Sequence, residues 1–167
     1  MATVTFKGSK VNTIGDLPNI GSRAPEFNLT NRDLRDVGLS EFGGKKKIIS
    51  IVHSLDTGTC ADSAKRFSKE IAGLEDTVLL NISADLPFAS ARFCDGNGIE
   101  NIVTLSTFRS PEFGRDYGVE IVDGPIRGLL ARSIVVLDEN NIVLHTQQGP
   151  ELAEEPDYGT ALKAVKA

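Results

Sequence analysis

At 167 residues, 40% of them hydrophobic and 25% charged, the chain has the composition of one compact domain able to bury about two-thirds of its extended-chain surface. Its 18 lysines and arginines against 23 aspartates and glutamates give a formal net charge of -5, which argues against a nucleic-acid surface; Lys45-Lys46-Lys47 reads as a solvated turn before a buried strand. No apolar segment reaches membrane-spanning length and no basic stretch followed by a hydrophobic one opens the chain, so the expected location is the cytoplasm, with no membrane partner.

Thr3 to Phe6 and Lys10 to Ile14 are short alternating segments around Lys7-Gly8-Ser9, and they predict an amino-terminal β-hairpin within residues 1–17. A turn-rich bridge, Asp16 to Pro25, leads to an extended piece at Phe27 to Thr30. Lys47 to His53, with three isoleucines and a valine, reads as a buried central strand. From Cys60 onward, Ala61, Ala64, Phe67, Ile71 and Leu74 recur at helical intervals, while Asp62, Lys65, Arg66, Lys69 and Glu70 cover the other side of an amphipathic helix. Thr77 to Ser83 is the next strand, Phe88 to Cys94 a short helix after Pro87, Ile102 to Leu105 a strand, and Pro111 to Tyr117 a helix stopped by Gly118. Ala131 to Leu137 and Ile142 to Thr146 pair antiparallel around the turn Asp138-Glu139-Asn140-Asn141, and Pro156 opens a last helix carrying Tyr158, Leu162 and Val165. This order predicts an α/β domain spanning 1–167, a mixed sheet with helices on both faces.

Chemistry concentrates at the two cysteines. Cys60 ends His53-Ser54-Leu55-Asp56-Thr57-Gly58-Thr59-Cys60, where the chain leaves a buried strand and enters a helix. There the unpaired N–H groups of the first turn favour a thiolate over a thiol. Plain core packing is the bland alternative for a free cysteine, but the Thr-Gly-Thr turn makes Cys60 unlike filler. A chain of this size needs no structural staple, so a two-cysteine pair in a reducing compartment is more naturally transient and catalytic. A metal site is not expected, because His53 and His145 are far apart and no Cys-x-x-Cys pair exists.

The segments Ser54-Leu55-Asp56-Thr57-Gly58-Thr59-Cys60, Ser83-Ala84-Asp85-Leu86-Pro87-Phe88, Arg92-Phe93-Cys94, Asp116-Tyr117-Gly118-Val119, Leu130-Ala131-Arg132 and Glu155-Pro156-Asp157-Tyr158 together resemble the thiol peroxidases, the atypical two-cysteine branch of the peroxiredoxin family. The resemblance spans nearly the whole chain. It implies a thioredoxin-like fold with the added hairpin, hydroperoxide substrates, no bound cofactor, thioredoxin as external reductant, and a homodimer. It also implies roles: Cys60 as peroxidatic nucleophile, Thr57 as a hydroxyl beside the sulfur and peroxide, Arg132 as the cation serving both, and Cys94 as the residue that resolves the Cys60 sulfenic acid into an intramolecular disulfide. Without the family, Thr57 reads as a capping hydroxyl, Arg132 as an exposed or paired cation, and Cys94 as a packed helix residue.

One position departs from the pattern: His53 stands where the family carries proline. A more polar and less rigid residue there is expected to admit water and slow the chemistry, so a proline at 53 is expected to speed it, provided the amide is not needed by the sheet. That departure keeps a second function in play, a weakly peroxidatic redox sensor that forms the same disulfide and signals to protein partners. His145 is expected at a strand edge, and Phe93, Phe108, Phe113 and Tyr117 in the core or at a subunit interface.

Overall fold

The computed structural model describes residues 1–166. Strands β1 (Thr3–Phe6) and β2 (Ser9–Asn12) form an antiparallel hairpin with Val4 opposite Val11. Its turn is two residues rather than three: Lys7 and Gly8 both take positive φ, 50° and 84°, the twist that a tight hairpin connection requires.

The main sheet has seven strands in the order β4-β3-β7-β6-β5-β8-β9. The short β3 (Leu29–Thr30) and β4 (Asp36–Val37) form one edge. Three parallel strands follow at the centre, β5 (Lys46–Ile51), β6 (Thr77–Ser83) and β7 (Ile102–Ser106), joined through α1 (Gly58–Ile71) and α2 (Pro87–Gly96). The antiparallel pair β8 (Ser133–Leu137) and β9 (Val143–Gln148) completes the other side. The remaining helices are α3 (Glu112–Asp116) and α4 (Tyr158–Lys166).

Alternation along the central strands divides the core. Ile49, Ile51, Leu80, Ile82, Val135 and Leu137 face a cluster that includes Phe113 and Tyr117. Ile48, Leu79, Ile134 and Val136 face Phe67 and Ile71 of α1 and Tyr158, Leu162 and Val165 of α4. Because both faces are covered, the strands read as continuous apolar runs rather than as alternating ones. Gly118, at φ 71°, ends the α3 region as expected, and a Cβ there would collide with the Asp16 backbone.

The lysine run is a correction. Lys47 is fully buried as the second residue of β5, and its Nζ donates to Asn141 Oδ1 at 2.6 Å. Burial pushes its pKa down, and Lys46 also belongs to β5, so of the three lysines only Lys45 lies in the turn before the strand. A second difference lies at β8, which begins at Ser133 and not Ala131. The Ala131 amide instead donates to Val119 O at 2.8 Å, leaving Arg132 at the mouth of the strand.

Candidate active site

Parallel strands β5 and β6 end side by side at Ile51 and Ser83, and the loops that follow build the site. Asp85 bolts these loops together: it accepts from Ser54 Oγ at 2.7 Å, from the Leu55 amide at 2.8 Å and from Ser83 Oγ at 3.1 Å. A crevice beyond the carboxyl ends of parallel strands is where open α/β sheets place their chemistry. Helix α1 then starts at Gly58, and Cys60 falls in its first turn, packed against Val52, Leu55 and Ala64.

Cys60 is 0% exposed, and its sulfur is held by side chains. Arg132 Nη2 donates to Sγ at 3.1 Å, while the His53 ring sets Nδ1 at 3.5 Å and Nε2 at 3.8 Å from it. No backbone N–H of α1 donates to the sulfur among the described hydrogen bonds. Side chains in a helix lean sideways and back along it, which carries Sγ to the flank, where His53 and Arg132 reach it. Burial alone pushes the Cys60 thiol up; the His53 hydrogen bond, the Arg132 charge, the His53 charge and the Thr57 hydrogen bond outweigh it and bring the pKa down to about 7.

Arg132 is 3% exposed, so its charge needs internal partners. Nε donates to Leu152 O at 3.0 Å and Nη1 to Ser63 Oγ at 3.1 Å, and Tyr158 OH donates to the same Ser63 Oγ at 3.1 Å. Among the described residues Arg132 pairs with no carboxylate. Among the described residues the sulfur is the one candidate anion in contact with this buried cation, and the guanidinium favours its thiolate form.

Thr57 precedes α1 but does not cap it through its side chain; the hydroxyl donates to Ser54 O at 2.8 Å. The same hydroxyl is near enough to Sγ to help lower the Cys60 pKa. His53 is 4% exposed, with the Phe6 ring of the hairpin edge-on to the imidazole at 5.8 Å. Its backbone N–H donates to no acceptor among the described residues. A cavity of about 300 Å³ opens beside it, lined by Phe6, Lys7, His53, Thr57, Thr59 and Ala153.

The structure does not bring Cys94 to Cys60. Both thiols are free and buried, and it is Phe93, not Cys94, that packs against the cluster around Cys60. Burial pushes the Cys94 thiol up, partly opposed by Arg32. His145 lies in β9 with Nε2 3.1 Å from Gln147 Oε1, away from the sulfur. Phe113 and Tyr117 stack in the core with centroids 4.4 Å apart, whereas Phe108 is exposed.

Sequence reasoning missed Ser63, Tyr158 OH and, above all, Glu151. The Glu151 carboxylate accepts from the Lys7 amide at 2.6 Å, from the Gly8 amide at 3.2 Å, from the Ala153 amide at 3.2 Å and from Thr5 Oγ1. These bonds clip the hairpin to the loop whose Leu152 O holds Arg132 and whose Ala153 O accepts from Thr59 Oγ1 at 2.7 Å. Partners more than 140 residues apart leave no local signal in the sequence. A Glu151→Ala variant is expected to speed amide hydrogen exchange at Thr5 and Leu152, which bond across this clip, while leaving β5 and β6 protected; unchanged exchange at Thr5 and Leu152 would show the clip is dispensable.

A buried cysteine ionised by a guanidinium, at the carboxyl edge of a mixed sheet, defines a thiol-based redox enzyme. Comparison with known proteins narrows this class. Residues 19–162 match the Redoxin family. A thiol peroxidase from Corynebacterium glutamicum is 47% identical over 165 residues, covering 99% of both chains. A peroxiredoxin-like protein from Aquifex aeolicus superimposes with a TM-score of 0.92 at 36% identity, over 99% of this chain and 96% of that one. A thiol peroxidase from Chromobacterium violaceum gives the same TM-score at 25% identity, over 98% and 95%. The chain therefore belongs to the Redoxin family, and within it to the thiol peroxidases of the peroxiredoxin group, enzymes that reduce peroxides with a thiol.

Proposed function

We propose that this enzyme reduces hydrogen peroxide and organic hydroperoxides at Cys60, resolves the product through Cys94, and is recycled by thioredoxin in the cytoplasm. The observation that carries the reading is the contact between the Cys60 sulfur and Arg132, a buried cation with no carboxylate partner among the described residues. In the first step the thiolate attacks the terminal peroxide oxygen, an S–O bond forms, the O–O bond breaks, and water or an alcohol leaves. Arg132 and the Thr57 hydroxyl face the place where negative charge spreads over sulfur and oxygen, and donors aimed there lower the barrier more than they stabilise free substrate. No bound cofactor is invoked.

In the second step Cys94 attacks the Cys60 sulfenic acid, water leaves, and a disulfide forms. A disulfide needs Cα atoms within about 7 Å, so α2 must loosen to deliver a buried Cys94. Its carboxyl end, before the left-handed turn at Gly98 with φ 64°, is held by amide bonds to Phe93, Cys94 and Asp95, by Asn97 Nδ2 donating to Phe93 O at 2.8 Å and by the exposed Arg32–Asp95 ion pair at 2.9 Å, which α2 gives up when it loosens. Leu86, Phe88 and Phe108 are exposed apolar side chains around the start of α2 and the end of β7, and they support a homodimer whose interface covers them.

Turnover with thioredoxin, thioredoxin reductase and NADPH tests the reading: NADPH oxidation dependent on both peroxide and thioredoxin supports it, and a folded enzyme inert under those conditions sinks it. The pH dependence is a separate expected result. With the Cys60 pKa near 7, its alkylation rate by iodoacetamide rises through pH 7 and levels off above about pH 8. A rise still continuing above pH 8.5, the range of an ordinary thiol, would show that the site does not ionise Cys60.

A further inference from the structure

Among the described residues His53 is the one titratable side chain that both touches the reacting sulfur and lines the cavity beside it. We propose that His53 is a catalytic proton relay, taking the proton of the Cys60 thiol and returning it to the oxygen that leaves when the peroxide bond breaks. The inference rests on the peroxidase reading above and adds to it the source of the leaving group's proton.

The geometry supports each half of the transfer. Nδ1 lies 3.5 Å and Nε2 3.8 Å from Sγ, so the imidazole can exchange a proton with the sulfur after a small adjustment. Thr57, four residues after His53 and immediately before α1, also lines the cavity, so a peroxide there meets His53 and Thr57 before it meets the buried sulfur. The charged groups facing His53 are Cys60 from α1, Arg132 from the mouth of β8, and Lys7 from the hairpin turn. Phe6 packs edge-on against the imidazole at 5.8 Å and lines the same cavity.

The step balances. Cys60 thiol and neutral His53 become thiolate and imidazolium. The sulfur then donates an electron pair to the terminal oxygen of ROOH, forming S–OH and breaking O–O. The departing RO⁻ takes the imidazolium proton and leaves as ROH. Sulfur is oxidised by two electrons, the peroxide is reduced by two, and His53 returns to its neutral form. Arg132 keeps its charge throughout, so the net charge of the site does not change.

A relay matters only when the leaving oxygen is a strong base. Hydroxide and alkoxides need the proton, whereas the acetate expelled from peracetic acid is a weak base, with an acid of pKa about 4 like a side-chain carboxyl. Stopped-flow oxidation of Cys60 by hydrogen peroxide and by peracetic acid, in the parent enzyme and in His53→Gln and His53→Pro, separates the cases. The thiolate fraction is common to both oxidants and cancels in their ratio. Both variants are expected to lose about 100-fold toward hydrogen peroxide, the low end of what a positioned acid contributes, and less than about 10-fold toward peracetic acid. Slower reduction by the proline variant reverses the expectation that proline at 53 speeds the enzyme. Equal losses toward the two oxidants, or none, would overturn the relay while leaving the peroxidase reading intact. A parent enzyme inert toward both would overturn the two together.

Discussion

Replacing Cys60 with serine is expected to abolish hydroperoxide reduction, while a Cys94→Ser enzyme consumes about one equivalent of peroxide per chain and then stops. The asymmetry follows from the two environments. Cys60 faces a guanidinium and an imidazole that bring its pKa to about 7, so about half of it is thiolate at neutral pH. Cys94 has only partial compensation from Arg32, and burial keeps its thiol protonated. The first oxidation therefore belongs to Cys60, and Cys94 becomes useful only after α2 loosens. Dimedone trapping followed by mass spectrometry reads the outcome: a sulfenic acid on Cys60 in the Cys94→Ser enzyme and no labelled cysteine in Cys60→Ser. Labelling of Cys94 in the Cys60→Ser enzyme would invert the assignment. Thermal unfolding should move little in either variant, since serine nearly matches cysteine in volume.

Arg132→Leu should slow Cys60 oxidation by about 10²- to 10³-fold, the range seen when one preorganised donor to a developing anion is removed. Two losses combine in this variant. The sulfur loses a charge-assisted bond of 3.1 Å, which raises its pKa, and the leaving oxygen loses the cation that faces it. Leucine also removes the Arg132 donors to Leu152 O and Ser63 Oγ, of which Ser63 keeps its bond from Tyr158 OH, so some instability accompanies the kinetic loss. Arg132→Lys distinguishes the two effects, because it retains the charge but cannot make three directed bonds to Leu152 O, Ser63 and Sγ at once. An intermediate rate for the lysine enzyme, with iodoacetamide alkylation showing a thiol pKa between those of the parent and the leucine enzyme, is the expected result. A leucine enzyme that stays folded and oxidises at the parent rate would remove Arg132 from the mechanism.

These effects rank the parts of the site by distance from the sulfur. Arg132, His53 and Thr57 act on Sγ directly, Ser63 and Leu152 O aim Arg132, and Glu151 holds the hairpin that roofs His53. Groups that aim another group have smaller and more structural effects than those that meet the reacting atoms, because a displaced aim can relax partly toward its old position.

The sequence by itself determined the elements whose signal is local. Apolar residues at helical spacing after Cys60 define α1, the apolar run from Ile48 defines β5, and the polar turn at Asp138 to Asn141 separates β8 from β9, because each pattern is confined to a window of a few turns or residues. The approach of Cys60 to a strand-helix junction was legible for the same reason. Only the tertiary structure decided what surrounds that sulfur. Arg132 reaches it from 72 residues away, and whether an arginine in an apolar stretch faces water or a thiol depends on which strand end it occupies. Lys47 misled for a related reason: a charged residue in a run of lysines carries no mark of the Asn141 amide oxygen that lets it be buried. His53 was visible as a departure from the family pattern, but its burial between Cys60 and Phe6 depends on a hairpin that Glu151 clips down from the far end of the chain. Periodicity records which face of an element is apolar; it does not record which two faces, loops or charges the closed fold presses together.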